Sequence, residues 1–425
     1  MLASPYPFFQ SLSREIGQLQ SDYRNFVPLT PGQMKNVVSG LRQEYVPLLT
    51  DGAFANQLAI VRGNGKVDLM TVVLDPHERA LAFYSRFSVP VLSPDYKTEP
   101  RNFWAFVLDL GTKIRACGKI PVLTIGDAEW LLDSMIEFGL ERLNEVFVFN
   151  QDYLLQQKLM DKFWQYQLAG EAGVDMPLTW PGDADFWKEK ASLPFPVLVK
   201  EQRGKRLFTE TGRQAIELFS REELIAAKKE VIGNVPVIVQ QKVSDDGSEN
   251  MFSIGAFRNR HTGHSILFSS RRIRATRVFG STALSVSEPC PEGVRAARKY
   301  LDYIDYHGSC ELEFIYDSRQ KKLLLLELNP RLYKTQSLAT HCGINFNHFA
   351  LLTAMGKNLP EQPQQIYGPR WWLAWGDIAD GIRKMQTGKL SFQEFIEPLS
   401  FDFVNGMDEL DDPLPGFVNI FNGKF

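Results

Sequence analysis

Several features that would point directly to a function are missing from this 425-residue sequence. Its four cysteines are far apart and form no C-x-x-C pair, which argues against a zinc knuckle or a disulfide framework and predicts a reducing, cytoplasmic environment. The start of the chain lacks a basic region followed by an apolar core, so a signal peptide is not expected. No apolar run approaches the ~18 residues that a membrane span requires.

Common catalytic and binding signatures are also absent. The chain has 47 Lys and Arg against 50 Asp and Glu, and this balance predicts no general affinity for nucleic acid or anionic membranes. The six histidines show no H-E-x-x-H spacing, and there is neither a G-x-S-x-G elbow nor a Walker P-loop. The sequence therefore does not support zinc chemistry, serine hydrolysis or P-loop nucleotide binding.

The order of the predicted strands and helices indicates a multi-lobed α/β and α+β protein. Strands at 46–49, 70–74, 89–92 and 120–125 alternate with helical stretches, which predicts βαβ units around a parallel, Rossmann-like sheet. Antiparallel strands are expected later, at 251–257, 264–273, 308–316 and 323–328. We predict a helical extension over 1–44, a Rossmann-like domain over 45–155, a two-lobed domain over 156–355 (156–240 and 241–355) and a C-terminal segment over 356–425.

Acidic side chains interrupt two of the predicted strands that a short turn connects. Glu327 lies among leucines, and burying an unpaired charge is costly. Asn329 shares its strand face, and Glu311 and Glu313 share a face of the preceding strand, because side chains alternate along a strand. Carboxylate and amide oxygens that converge in this way suit Mg²⁺. The alternative is a solvated hairpin face, which would explain Glu311 more easily than Glu327.

Basic residues form two further candidate sites. Lys200 ends a predicted strand just before a loop that contains Gly204, where a lysine and backbone N–H groups can bind phosphate. Strand alternation predicts Arg272 and Arg274 on one face and Arg271 on the other. Arginine forks on one face would bind a polyphosphate or a substrate carboxylate. The alternative is a solvated or nucleic-acid-binding face, and the negative net charge with no interleaved aromatics disfavours nucleic acid.

These motifs, in this order, resemble the ATP-grasp superfamily from about residue 45 to 355. The stretches that carry the resemblance are Asp161-Lys162 at a helix start, Pro196-Val-Leu-Val-Lys200, Val239-Gln-Gln-Lys-Val243, Glu311-Leu-Glu-Phe314 and Glu327-Leu-Asn-Pro-Arg331. Ser85-Arg-Phe, the segment 272–280 and Asp411-Asp-Pro-Leu-Pro further resemble the carboxylate–amine ligase branch that includes D-aspartate ligases. The resemblance implies a Rossmann-like lobe followed by a two-lobed ATP-grasp fold.

The resemblance also implies a role for each matching residue. Glu313, Glu327 and Asn329 would bind Mg²⁺, with Mn²⁺ as the alternative ion, and Arg331 would stabilise an acyl phosphate, with Arg272 and Arg274 as further catalytic candidates. ATP would contact the following set: Lys162, Lys200, Gly204, Gln240, Gln241, Lys242, Val243 and an acid for the ribose, Glu249, Asp245 or Asp246.

The implied reaction is the ATP-dependent joining of a carboxylate to an amine through an acyl phosphate, with release of ADP and phosphate. The expected partners are small-molecule or peptide-like acids and amines, with neither nucleic acid nor membrane, and a homodimer is left open. Two alternatives remain. One is an ATP-grasp enzyme with another acceptor such as a thiol, or a carboxylase, which the absence of a visible biotin-type carrier motif disfavours; the other is a nucleotide-binding protein without catalysis. The two lysines, three metal-binding residues and one arginine retained at the predicted site argue against the last.

Overall fold

The computed structural model describes most of the chain. It covers residues 18, 21–23, 25–126, 128–188, 193–204, 206–243, 250–276, 280–399, 402–407 and 409–422. Two compact units divide it: unit 1 comprises 1–127, 137–148 and 405–425, and unit 2 comprises 128–136 and 149–404. Within the described stretches, no helix has both the length and the apolar character needed to cross a bilayer.

Sixteen strands and sixteen α-helices lie in these described stretches. The strands are β1 (Tyr45–Leu49), β2 (Thr71–Asp75), β3 (Ser88–Leu92), β4 (Ile120–Thr124), β5 (Val148–Phe149), β6 (Thr179–Pro181), β7 (Val197–Glu201), β8 (Ala215–Leu218), β9 (Val237–Gln241), β10 (Met251–Arg258), β11 (Ser265–Ala275), β12 (Thr282–Ser287), β13 (Gly308–Asp317), β14 (Lys322–Asn329), β15 (Arg370–Trp372) and β16 (Phe403–Asn405). The α-helices are α1 (Pro31–Gly40), α2 (Ala55–Gly65), α3 (Pro100–Ala116), α4 (Ala128–Phe138), α5 (Leu140–Asn144), α6 (Tyr153–Leu159), α7 (Lys162–Glu171), α8 (Ala184–Lys188), α9 (Arg206–Thr211), α10 (Arg221–Ala227), α11 (Pro291–Tyr303), α12 (Gln336–His341), α13 (Phe346–Ala354), α14 (Ala374–Gln386), α15 (Phe392–Ile396) and α16 (Leu414–Asn422).

Unit 1 is built on a five-stranded sheet in the order β3-β2-β1-β4-β5. The pairs β1–β2, β1–β4 and β2–β3 are parallel, as the alternation of strands and helices predicts. Strands β1 and β2, each of which has a neighbouring strand on both sides, are almost wholly buried, as is typical of parallel sheets that are covered on both faces.

A buried ion pair attaches the end of the chain to the rest of unit 1. Arg62, from α2, donates through Nε to Oδ2 of Asp412 at 2.9 Å, and both side chains are almost fully buried. Ser85 Oγ donates to the same carboxylate at 2.8 Å, and the backbone N–H of Arg86 donates to it at 2.9 Å. The Ser85-Arg-Phe and Asp411-Asp-Pro stretches, which belong to the predicted resemblance, are therefore two halves of one structural contact.

The predicted C-terminal segment is divided between the units. Residues 356–404 belong to unit 2 and residues 405–425 to unit 1, because the Asp412 contacts link the latter to α2 and to the loop around Ser85. The boundary between the units at residue 404 thus depends on contacts between residues more than 300 positions apart, which a local sequence pattern does not predict.

Unit 2 contains two antiparallel sheets. The smaller has the order β6-β9-β7-β8 and packs an apolar face that includes Val197, Val199, Val237 and Val239. The larger has seven strands in the order β14-β13-β10-β11-β12-β15-β16. The antiparallel strands predicted at 251–257, 264–273, 308–316 and 323–328 are all present in it.

The two faces of the large sheet differ in character. One face carries Ile254, Leu312 and Phe314, which pack with α7 and α11 in the main core of unit 2. The other carries Ser253, Ser270, Glu311 and Glu313, which line a small cavity. Alternation of side chains along the paired strands produces this separation.

We expect Asp412→Asn to lower the free energy of unfolding by about 3 kcal/mol, because it leaves the buried Arg62 guanidinium without its carboxylate. Urea denaturation followed by circular dichroism would measure the loss. Asp411→Asn is the matched control: Asp411 and its partner Lys66 are each 44% exposed, so its effect should stay below about 1 kcal/mol. Equal stability of the two variants would contradict a structural role for Asp412.

Candidate functional site

The pairing of β13 with β14 brings the predicted acidic residues together. Glu311 lies opposite Asn329, and Glu313 lies opposite Glu327. Directly opposed residues of an antiparallel pair share a face, so all four side chains project from the cavity side of the sheet. Strand periodicity correctly predicts this arrangement.

Glu327 is held ionised by surrounding cations. Burial raises the pKa of this carboxyl, but the charge and hydrogen bond of Lys162, with the charges of Lys200 and Arg331, bring it below the ordinary value. Lys162 Nζ lies 2.9 Å from Glu327 Oε1. The predicted start of α7 explains the placement, because Asp161 caps the helix by accepting from the Trp164 N–H and Lys162 follows immediately.

Glu311 has the opposite electrostatic character. Burial, together with the charge of Glu313, raises the pKa of Glu311 to about 7, although a hydrogen bond from Ser253 Oγ opposes the rise. Asn329 Nδ2 donates to its other carboxylate oxygen at 3.2 Å. Neutral donors, Ser253 and Asn329, therefore hold Glu311 in place, whereas Glu327 is stabilised by the charges of Lys162 and Lys200.

Helix α7 also holds the exposed edge of the large sheet. The Gln165 amide donates to the Leu328 carbonyl at 2.9 Å and accepts from the Leu328 N–H at 2.9 Å, and Tyr166 donates to the Leu326 carbonyl. These side chains replace a neighbouring strand for β14, whose backbone groups would otherwise be unpaired. Sequence reasoning missed both residues, which carried no motif signal.

The second predicted lysine lies in the small sheet. Lys200 Nζ donates to Gln240 Oε1 at 2.8 Å, and the Gln240 amide donates to Thr179 Oγ1 at 2.9 Å. Burial lowers the pKa of Lys200, the charge of Glu327 raises it and the charge of Lys162 lowers it further. Both lysines therefore act electrostatically on the same carboxylate, that of Glu327, and their binding of a shared phosphate stays a prediction.

The predicted adenine-binding strand continues from Gln240. The Gln241 N–H donates to the Leu178 carbonyl at 2.8 Å, Lys242 Nζ pairs with Glu217 at 2.6 Å, and Val243 packs on Ile315 and Leu324. This segment thus connects the small sheet to β13 and β14. Contacts of these residues with a nucleotide stay a prediction.

The structure describes only one of the two remaining elements that are predicted to contact ATP, the loop at Gly204 and the acid for the ribose. Gly204 follows β7 with φ of +97°, a left-handed conformation that favours glycine and gives the loop its sharp turn. Glu249, with Asp245 and Asp246, lies outside the described residues, so the ribose contact stays a prediction.

The predicted common face for Arg272 and Arg274 is wrong. The β11–β12 register shifts after Arg272, which lies opposite Ser285, so that Arg274 lies opposite the neighbouring Leu284. Ser285 and Leu284 point to opposite faces, and the bulge therefore separates the two arginines. A local insertion of this kind is not visible in a simple alternation pattern.

The two arginines have distinct partners as a result. Arg272 borders the cavity, where its Nη2 lies 3.7 Å from Glu313 Oε2 and its Nε donates to Thr282 Oγ1 at 3.0 Å. Arg274 donates to Asp377 Oδ1 at 2.8 Å and to the Phe395 carbonyl at 2.9 Å. Arg271, the third member, pairs with Glu288 at 2.9 Å. The structure brings only Arg272 of the three to the acidic cluster.

Arg331 follows soon after the acidic strand, and its charge opposes the rise that burial causes in the pKa of both Glu311 and Glu327. Two residues later, buried Tyr333 lies against β10 at Gly255, where a Cβ would overlap the tyrosine hydroxyl. Gly255 thus permits the close approach that fixes the segment after Arg331 on the sheet.

The oxygen donors of the cluster fit a Mg²⁺ ion. Glu313, Glu327 and Asn329 offer two carboxylates and an amide, and Mg²⁺ in nucleotide enzymes is held by one or two carboxylates plus substrate phosphates. Across the described residues, no group of three or more His, Cys, Asp or Glu side chains is arranged to hold an ion alone. Here the Asn329 amide oxygen and the phosphate oxygens of a bound nucleotide would supply the remaining Mg²⁺ ligands.

Comparisons with known proteins agree with this geometry. The family model for the ATP-binding domain of the carbamoyl-phosphate synthase L chain matches residues 290–362, which include β13, β14 and Arg331. The carbamoyl phosphate synthase large chain of Pseudothermotoga lettingae is 29% identical over 132 residues, or 29% of this chain. That match spans 11% of the relative's length.

Solved structures extend the likeness to most of the chain. N5-carboxyaminoimidazole synthetase from Staphylococcus aureus, complexed with ADP, has a TM-score of 0.59 at 17% identity, covering 76% of this chain and 80% of that one. The biotin carboxylase domain dimer of the Hydrogenobacter thermophilus 2-oxoglutarate carboxylase, with MgADP and bicarbonate, has a TM-score of 0.57 at 16% identity, covering 77% and 73%.

These likenesses define the class of protein: the chain has the multi-lobed ATP-grasp fold. The resemblance to the ATP-grasp superfamily predicted from the sequence is confirmed. The comparisons do not specify the D-aspartate ligase branch.

We expect Gly255→Ala to destabilise the protein by about 1–3 kcal/mol, because the added methyl group must displace the Tyr333 hydroxyl from a packed interior. Urea denaturation would measure the change. Gly170→Ala, in α7, is the matched control, since its Cβ would meet only the flexible end of Met176. A loss no larger than that of the control would show that Tyr333 moves freely.

The separation of the arginines leads to a paired prediction. Arg272→Lys should weaken transition-state binding of the acid substrate that the sequence predicts by about 1–3 kcal/mol, as read from kcat/KM, because lysine supplies charge without the planar fork. Arg274→Lys should instead lower the thermal stability and leave kcat/KM nearly unchanged, because its fork binds Asp377 on the other face. Kinetics and thermal unfolding of both variants provide the test, and the reverse pattern would contradict the assignment.

Proposed function

We propose that this protein is an ATP- and Mg²⁺-dependent ligase that joins a carboxylate to an amine through an acyl phosphate. One observation carries the proposal: Glu313, Glu327 and Asn329 converge on the end of β14 beside Arg331, and Lys162 and Lys200 act on the same carboxylate. Structural neighbours with this fold were solved as ADP and MgADP complexes, which supports nucleotide binding by this chain.

The proposed reaction has two steps. A carboxylate oxygen attacks the γ-phosphorus of ATP, and the bond to ADP breaks, which leaves an acyl phosphate. The amine nitrogen then attacks the acyl carbon, phosphate departs with the C–O bonding pair, and the nitrogen loses a proton to form the amide. When bound, Mg²⁺ would neutralise phosphate charge at Glu313, Glu327 and Asn329.

The chain's own residues serve these steps electrostatically. Lys162 and Lys200 would bind phosphate oxygens, and the partial burial of their ammonium groups strengthens such an interaction by excluding water. Arg331 would stabilise the oxyanion of the second step with fixed N–H donors. Arg272, whose Nη2 lies 3.7 Å from Glu313 Oε2, would orient the acid beside the acidic cluster.

The proposal is tested by ADP formation with a panel of acids and amines, bicarbonate included because a structural neighbour was solved with it. We expect ADP release that requires both an acid and Mg²⁺. No ADP release with any pair would favour the non-catalytic alternative, whereas release with a thiol in place of the amine would favour a different acceptor.

We expect Glu327→Gln to reduce ADP formation about 100-fold or more with the fold intact, because it removes a ligand charge while keeping the side-chain shape. The Mg²⁺ dependence of the rate should move to higher concentrations. Glu361→Gln, at an exposed position, is the control and should behave as wild type. Normal ADP formation by Glu327→Gln would remove this residue from the metal site.

A further inference from the structure

Glu311 belongs to the acidic cluster, but the proposed metal-binding set does not include it. It lines the cavity together with Glu313 and is 9% exposed. Both of its carboxylate oxygens accept a hydrogen bond: Oε1 from Ser253 Oγ, and Oε2 from Asn329 Nδ2 at 3.2 Å. A buried carboxylate that is engaged at both oxygens is fixed in orientation, and it fixes its partners in turn.

These hydrogen bonds form a row across three neighbouring strands. Ser253 of β10 lies directly opposite Glu313 of β13, so its contact with Glu311 is the diagonal one, which long side chains reach. Glu311 lies directly opposite Asn329 of β14. The row therefore crosses the sheet from strand to strand, and strand pairing fixes the positions of its three members.

The contact with Glu311 decides which end of the Asn329 amide is left for a cation. An amide nitrogen only donates and an amide oxygen only accepts, and a metal ion binds the oxygen. Asn329 Nδ2 donates to Glu311, whereas the reversed amide would set its oxygen against a carboxylate oxygen. The nitrogen is thus committed to Glu311, and the oxygen is the end that a metal ion can bind.

We propose that Glu311 is a positioning residue that orients the Asn329 amide for Mg²⁺, and that Ser253 in turn anchors Glu311. This inference rests on the metal-dependent function proposed above. Removing a group that orients a metal ligand commonly lowers metal affinity about 10–100-fold. Glu311 acts on the ion through Asn329, which distinguishes it from Glu313 and Glu327, the carboxylates that would contact the ion directly.

The factor by which Mg²⁺ tightens nucleotide binding measures this role without turnover. Calorimetry would give the dissociation constant of AMP-PNP, an ATP analogue that is not hydrolysed, with saturating Mg²⁺ and with EDTA, in the absence of any acid or amine. The ratio of the two constants is the Mg²⁺ enhancement, which reports the coupling between metal and nucleotide. We expect the wild-type protein to show such an enhancement.

Two substitutions of Glu311 separate its hydrogen bond from its charge. Glu311→Gln and Glu311→Met both remove the charge and keep the length of the side chain, but only the glutamine oxygen can accept from Asn329 Nδ2. We expect Glu311→Met to lower the Mg²⁺ enhancement at least about tenfold more than Glu311→Gln. In an Asn329→Ala background the two variants should be equal, because the group that Glu311 orients is gone.

The outcomes separate this role from the ligase function. Equal enhancements in Glu311→Gln and Glu311→Met with Asn329 present, or a difference that persists in the Asn329→Ala background, would overturn the positioning role. Wild type without any Mg²⁺ enhancement would overturn it as well. The expected pattern without ADP formation from any acid and amine would instead leave the positioning role intact and remove the ligase function.

A pair of serine variants decides the case in which Glu311→Met does not fold, which thermal unfolding would reveal. Ser253→Ala removes the donor that anchors Glu311 and should lower the Mg²⁺ enhancement about threefold or more. Ser269→Ala is the matched control, since its hydroxyl donates to the Glu288 carbonyl at 2.7 Å and its partner across the β10–β11 pair, Ile254, lies on the opposite face from Ser253. Equal enhancements in these two serine variants would also count against the proposal and overturn it.

Discussion

The candidate site depends on one constraint, the confinement of several carboxylates on one face of a sheet. Glu311 and Glu313 are neighbours on β13, and their mutual repulsion adds to the cost of burial. Folding is compatible with this arrangement because cations reach the cluster from separate elements. Lys162 comes from α7, Arg272 from β11 and Arg331 from the end of β14. In the function proposed above, a metal ion would replace these protein cations, since the carboxylates are already gathered and partly desolvated.

Helix α7 links the stability of the large sheet to the chemistry of the site. Its first residue, Lys162, pairs with Glu327, and one turn later Gln165 and Tyr166 bind the backbone of β14. The side chains of this one helix thus cover the edge of the sheet and also fix the distance between Lys162 and Glu327. A substitution at Gln165 would therefore act on the site without touching a substrate, which is the behaviour of a positioning residue.

Features of the fold and the site that depend on neighbouring residues could be predicted from the sequence, whereas those that depend on contacts between distant segments could not. Alternation along β13 and β14 correctly grouped Glu311 with Glu313 and Glu327 with Asn329, because both periodicity and a short hairpin are local properties. The bulge after Arg272 was not predicted, since one extra residue in a strand changes the face without altering the composition. Contacts such as Ser85 with Asp412 were beyond reach because they join distant segments.

That bulge also explains why an arginine-rich strand can serve two purposes. Continuous alternation would have placed Arg272 and Arg274 side by side above the cavity, where their mutual repulsion would oppose folding before any anion bound. The register shift sends Arg274 to the other face, where Asp377, 3% exposed, neutralises it and Phe395 lies against its guanidinium group. Arg272 keeps only a longer pairing with Glu313, at 3.7 Å, which a substrate anion would replace in the function proposed above. The backbone irregularity thus determines which arginine is neutralised by Asp377 and which borders the cavity.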